Sequence, residues 1–246
     1  MKKLCLFLCI LPSIVCAQLS DSIFKADKTT SAPHYSQYII PATFITYGLI
    51  SLSNKPILQL DWSTKIELSE HHPEFAAKVD NYLQFAPLAG MFALDFMGVK
   101  SKNNAQDQIA IALMSTGITT LVVHGLKRST NRWRPNGTSN NSFPSGHTAT
   151  AFAAAEMLHQ EFKDQSPWIG YVGYTIATAT GTLRMYNNRH WFSDVVAGAG
   201  FGILSTKLTY LLYPHLKQTL RIGKNNLQVS PLYQDVIGGI NLNYRF

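Results

Sequence analysis

Phe143-Pro144-Ser145-Gly146-His147-Thr148 leads straight into an Ala-rich run, so the stretch reads as a turn that opens a helix. Ser145 suits the N-cap, Gly146 lets other backbone come close, and His147 falls in the first turn. The free N–H groups of such a helix end attract an anion. Upstream stands Lys127-Arg128-Ser129-Thr130-Asn131-Arg132-Trp133-Arg134-Pro135, and downstream Arg184-Met185-Tyr186-Asn187-Asn188-Arg189-His190-Trp191-Phe192-Ser193-Asp194. Together these stretches supply spaced cations (Lys127, Arg134, Arg184), two histidines and the Asp194 carboxylate. That inventory suits phosphoryl transfer through a histidine nucleophile.

Connectivity brings the three stretches to one place. Apolar segments run at about 82–99, 107–126, 148–161, 168–185 and 191–213, with an earlier one at 38–52. If consecutive segments are antiparallel helices, Lys127 and Arg134 follow the end of one helix and His147 begins the next. Arg184 returns to the same pole, where His190 opens the last helix. His190 and Asp194 are four residues apart and share a helical face. The carboxylate can then hold one imidazole nitrogen and leave the other free to attack. The expected fold is all-α, an antiparallel helical bundle embedded in a membrane, with a short C-terminal β-like hairpin. Small-residue runs such as Ala197-Gly198-Ala199-Gly200-Phe201-Gly202 allow close helix approach in such a bundle.

The flanks set the compartment. Met1-Lys2-Lys3, the apolar run Leu4 to Val15 and the small residues at Cys16-Ala17 read as a signal peptide over 1–17. Cys5, Cys9 and Cys16 are the chain's only cysteines. With the leader removed, neither a disulfide nor a thiolate site is expected. Loss of Lys2 and Lys3 takes the formal charge from +7 to +5, a balance that suits anionic substrates or lipid headgroups. No basic stripe is interleaved with aromatics, so no nucleic-acid partner is expected. Residues 18–106 read as an N-terminal region leading into the bundle, with a helix-like stretch over 74–78, and 107–213 as the catalytic core. In the tail, 214–246, Ile240, Leu242, Tyr244 and Phe246 alternate with polar residues. Leu227-Gln228-Val229 pairs with that strand through a turn near Gly238-Gly239 in this reading.

Lys127-x6-Arg134-Pro135, Pro144-Ser145-Gly146-His147 and Arg184-x5-His190-x3-Asp194 resemble the three signature motifs of the type-2 phosphatidic acid phosphatase superfamily. That group also holds bacterial class A acid phosphatases and vanadium-dependent haloperoxidases. The resemblance covers about residues 107–213. It departs at Leu183, where the family usually has Ser. The resemblance implies that His190 is the nucleophile, oriented by Asp194. His147 would protonate the leaving oxygen and then activate water. Lys127, Arg134 and Arg184 would balance the phosphoryl charge with the Ser145 hydroxyl and the Gly146 N–H. It implies neither a cofactor nor a metal.

Lys100, Lys102, Lys163, Lys217, Arg221 and Lys224 gather at the pole opposite these groups. By the positive-inside rule the site then faces the periplasm from the inner membrane. Residues 37–53 would lie along the membrane or pack on the bundle, leaving five spans. A soluble periplasmic location is the alternative. Arg128, Arg132 and Arg189 would form a basic rim, with Trp133 and Trp191 at the membrane interface. The expected partners are the bilayer and a phosphorylated membrane lipid of the lipid A, undecaprenyl pyrophosphate or phosphatidylglycerol phosphate class, with no obligate protein partner. The alternatives are a broad-specificity soluble acid phosphatase and, more remotely, a haloperoxidase, which lacks an evident extra vanadate-binding segment.

Overall fold

The computed structural model describes residues 35–73 and 75–219, and the backbone of 227–234 and 237–244. The leader over 1–17, Arg221 and Lys224 lie outside these residues. The helices are α1 Ile39–Ser51, α2 Lys55–His71, α3 Asp80–Leu83, α4 Ala86–Phe96, α5 Ala105–Thr130, α6 Gly146–Phe162, α7 Pro167–Tyr186 and α8 Phe192–Thr219. The bundle is all-α. Beyond it, β1 (Leu227–Gln234) pairs antiparallel with β2 (Ile237–Tyr244), with Leu227 opposite Tyr244. Gly238 and Gly239 sit inside β2, opposite Tyr233 and Leu232, and so are not the turn itself.

Helix α6 is the axis of the bundle, with α7 and α8 packed along it and α1 on the far side of α8. Ala149, Ala151, Ala153, Ala154 and Ala155 are all buried, and their small side chains bring the neighbouring backbones close. The glycines of α8 complete this packing on two faces. A Cβ at Gly198 would stand 2.6 Å from Ser145 O, and one at Gly202 would stand 2.9 Å from Ala153 N, both towards α6. At Gly200 the contact is Pro41 O of α1, at 2.8 Å. Helix α1 thus packs against α8.

Two boundaries differ from the sequence reading. The helix in the polar N-terminal region is Lys55–His71, and residues 75–78 are not helical. Asn54 explains the start: its side chain accepts the Ile57 N–H at 3.3 Å, and Pro56 occupies the first turn. Pro73 explains the stop. Helix α8 runs through Pro214 to Thr219, past the expected end of the core at 213.

The surface carries large apolar side chains, and the core holds paired polar groups beside its apolar residues. Leu113, Leu121, Trp168 and Phe96 are 71%, 76%, 72% and 93% exposed. Meanwhile Ser115 and Thr206 hydrogen-bond to each other at 2.7 Å inside the bundle. Buried Glu156 accepts from Lys207 at 2.8 Å, from Gln160 at 2.6 Å and from the Tyr174 hydroxyl. Large exposed apolar surface marks a membrane or partner face, and paired polar groups inside a bundle suit a lipid surround. By length and composition α5 and α8 can each cross a bilayer. At the pole where α5 begins, Lys217 bonds to Asp107 at 2.7 Å, and Ser101 donates to Asp95 at 2.6 Å.

Candidate active site

The other pole collects the motif residues. Lys127 comes from the last turn of α5, Arg132 and Arg134 from the loop that follows, and His147 from the first turn of α6. Arg184 ends α7, His190 sits in the next loop, and Asp194 begins α8. The Ser145 N–H donates to Asp194 O at 3.0 Å, which ties the α6 turn to α8. Gly198 makes that approach possible, since its missing Cβ leaves room for Ser145 O.

His190 and Asp194 are both buried. The ring Nδ1 lies 3.7 Å from Asp194 Oδ2 and 3.5 Å from Ser142 Oγ, and Ser142 donates to the same carboxylate oxygen at 2.5 Å. Asp194 therefore holds the ring partly through Ser142. The Trp191 N–H adds a bond to Oδ2 at 3.0 Å, and Arg132 one to Oδ1 at 2.8 Å. With Nδ1 facing the carboxylate, Nε2 is the nitrogen left for chemistry. Burial pulls the His190 ring down to about 4; Asp194 opposes that shift, while Lys127 and Arg184 add to it.

The cations are arranged by backbone and side-chain acceptors. Lys127 Nζ donates to Asn141 O at 2.5 Å and Ser142 O at 3.4 Å, and Arg134 Nε donates to Asn141 Oδ1 at 3.0 Å. Arg134 is lowered from its ordinary range by burial, then by the charges of Arg184 and Arg189. Arg184 donates from Nη1 to Asp80 at 2.5 Å, and its buried Nε has no partner among the described residues. His147 Nε2 lies 2.9 Å from Asn81 Oδ1. Asp80, Asn81, His147, Arg184 and Arg189 line one cavity of about 290 Å³, with Phe75 at its edge.

Several expectations change in detail. Ser145 occupies the N-cap position, but its hydroxyl pairs with Thr148 Oγ1 at 2.8 Å and caps no N–H. A Cβ added at Gly146 would meet only ordinary contacts, Val123 at 3.6 Å and Lys127 at 3.9 Å, so no close backbone approach requires the glycine there. Arg132 does not belong to a solvent-facing rim: it bridges Asp194 and Asp61, reaching the latter at 2.5 Å. Trp191 is buried, donating Nε1–H to Trp133 O at 2.7 Å, whereas Trp133 is exposed. Leu183 lines a separate apolar groove on the outside of α7, with Phe75, Thr178 and Tyr186. The Ser-to-Leu departure thus changes that outer groove and leaves the His147 cavity without a change in lining.

Asp61, Asp80, Asn81 and Ser142 were not identified from sequence. Asp61 and Asp80 are almost wholly buried carboxylates, and the surplus of motif cations over the single carboxylate was the signal that acidic partners had to come from elsewhere.

Residues 108–218 match the model of the PAP2 superfamily. Over 142 residues the chain is 43% identical to the lipid A 1-phosphatase of Porphyromonas gingivalis, a match covering 55% of this chain and 31% of that protein. The chain therefore spans about a third of the length of that relative. Among solved structures, the transmembrane PAP2 type phosphatidylglycerolphosphate phosphatase of Bacillus subtilis superposes with a TM-score of 0.51 at 18% identity, over 73% of this chain and 98% of that one. That likeness concerns the fold. The region that matches the PAP2 superfamily, residues 108–218, is the one that folds the three signatures onto one pole.

Proposed function

We propose that this protein is a membrane-embedded, metal-independent phosphatase acting on a lipid-linked phosphate through a phosphohistidine intermediate. The observation that carries the reading is the buried His190 ring, held at Nδ1 by Asp194 and Ser142. His190 Nε2 attacks phosphorus, and the P–O bond to the leaving group breaks. His147, whose free ring is held down to about 4 by burial and then by the Arg184 charge, takes up its proton once the phosphate's negative charge offsets the neighbouring cations, and gives it to that oxygen. In the second step His147 takes a proton from water, whose oxygen attacks phosphorus and releases phosphate and neutral His190. Lys127, Arg134 and Arg184 neutralise the equatorial oxygens, and the open face of Gly146 offers its N–H.

Support for a lipid comes from the surface around the site. The groove on α7, about 570 Å³, shares Phe75 with the His147 cavity. Thr175 and Thr178 turn their hydroxyls onto their own helix, donating to Tyr171 O at 2.9 Å and Tyr174 O at 2.8 Å. Their methyl groups are left for the groove, which suits an acyl chain running from the headgroup cavity. The P. gingivalis relative, named for lipid A, favours that class of substrate. We place the protein in the inner membrane with the site towards the periplasm, on the leader read over 1–17.

The test is phosphate release from lipid A, phosphatidylglycerol phosphate and a sugar phosphate in competition, paired with membrane fractionation. Preference for a lipid by a membrane-bound protein is expected. Equal hydrolysis of the sugar phosphate by a protein in the soluble periplasmic fraction would favour the acid-phosphatase alternative.

Two further results are expected. Among the described residues no three His, Cys, Asp or Glu side chains are grouped to hold a metal ion, and the cations named above supply the positive charge. Activity should persist in excess chelator and fall with vanadate, an analogue of five-coordinate phosphorus; loss on chelation with recovery on adding zinc or magnesium would contradict this. The second concerns pH. Because the His190 ring is lowered to about 4, it stays neutral and nucleophilic above that pH and is lost to protonation below it. After correction for the substrate's own ionisation near about 6, the acid limb of kcat/KM should fall near pH 4, the value to which burial lowers both His190 and His147. A midpoint at the ordinary histidine value of 6.5 would show that burial does not set the nucleophile's charge.

A further inference from the structure

One buried cluster takes no direct part in the reaction above. Asp61, from α2 and outside the matched family region, accepts from Arg132 Nη2 at 2.5 Å, from the Ser193 N–H at 2.9 Å and from Ser193 Oγ at 2.6 Å. Arg132 sends its other nitrogen, Nη1, to Ser193 Oγ and Asp194 Oδ1, both at 2.8 Å. Ser51 Oγ of α1 lies 3.4 Å from the same nitrogen. The Arg132 guanidinium also lies over the Trp191 ring, 5.7 Å from its centroid, so its plane is fixed from a second direction. Both carboxylates are buried.

We propose that Asp61 and Arg132 are positioning residues of the nucleophile: Arg132 clamps Asp194 Oδ1, and Asp61 holds Arg132 in the plane that makes the clamp. The proposal rests on the phosphatase reading. With Oδ1 committed to Arg132, Oδ2 is the oxygen presented to Ser142 and to His190 Nδ1. The charges explain why two carboxylates are needed. Arg132 with Asp194 alone is a neutral pair, which gives little support to a ring that becomes cationic when it carries phosphate. Asp61 offsets the Arg132 charge, so that Arg132 fixes Asp194 without cancelling the support that Asp194 gives the ring. A guanidinium suits the task because its rigid fork bridges two carboxylates, which a lysine ammonium cannot do in the same geometry. Neither residue lines the cavity that holds His147 and Arg184; Asp61 borders a second, small cavity with His190, and its place in the proposal is behind Arg132 rather than on the phosphate.

The test is a double-mutant cycle on full-length protein, reading kcat, KM and thermal unfolding for Asp61→Asn, Arg132→Gln and the pair, with a soluble aryl phosphate. Asp61→Asn should lower kcat about tenfold, equivalent to one pKa unit of lost support for the cationic ring, with KM within about twofold. Arg132→Gln should lose more, and adding Asp61→Asn to it should cost nothing further, because Asp61 acts through Arg132. Should Arg132→Gln fail to fold, Arg132→Met keeps the apolar stem without the charge or the fork and completes the cycle with the same expectation. Multiplicative losses in the double variant would overturn the proposal. So would an effect on KM alone, or a fall in kcat no larger than the fall in folded protein. Absence of phosphate release from the unmodified protein is a different result, and would overturn the phosphatase reading itself.

Discussion

His190→Ala is expected to abolish phosphate release, by at least about 10³-fold, while the bundle still folds. The ring combines a nucleophilic nitrogen with a buried carboxylate partner on its other side. Removing it leaves Lys127, Arg134 and Arg184 to bind phosphate with nothing to attack it. KM should therefore move far less than kcat. The vacated volume lies in a loop at one pole, away from the α6–α8 seam, so a modest stability cost is expected. The measurement is single-turnover phosphate release alongside thermal unfolding. Full activity in this variant would remove the nucleophile assignment outright.

Gly202→Ala carries the largest expected effect on stability. A Cβ there would run into Ala149 O and stand 2.9 Å from Ala153 N. Both are backbone atoms of α6 and cannot rotate away. The seam has to open, at a cost of about 3 kcal/mol. For a bundle of this size that corresponds to about 10 °C in Tm. Gly198 lies one turn nearer the site on the same seam, so activity should fall as well. Gly117→Ala is the matched control: nothing lies within 4 Å of its Cβ position, and Tm should hold or rise by the equivalent of up to about 1 kcal/mol. Equal Tm shifts in the two variants would show that the α6–α8 approach is not what these glycines serve.

Much of the pole was legible because the motifs mark the ends of strongly apolar segments, and alternation of helix direction fixes which ends meet. Lys127, Arg134, His147, Arg184, His190 and Asp194 all follow from that rule. What it could not supply were the partners. Asp61 lies 132 residues from the Ser193 N–H it accepts from, and Asp80 lies 104 from Arg184. No local periodicity couples residues so far apart. Helix α2 was misplaced for a related reason: its apolar and polar residues are poorly segregated, so only the Asn54 cap and Pro56 mark its start. The stretch 75–78 looked helical from composition, yet Pro73 precedes it and the Ala77 backbone is engaged by the Asn187 side chain instead. Arg132 sits between two motif cations, and nothing in its neighbours distinguishes a rim arginine from one buried against two carboxylates. Leu183 marks a departure from the motif next to a phosphate-binding cation, and only its helical position shows that it turns to the outer groove.

The central claim, a phosphoryl group carried on His190, is tested most directly by rapid acid-free quenching of the enzyme with ³²P-labelled substrate, followed by peptide mapping. The expected result is base-stable, acid-labile label on the peptide containing His190, absent from His190→Ala and accumulating in His147→Ala if attack outpaces hydrolysis there. Label that survives acid, or that maps to His147 or to a serine, would contradict the account.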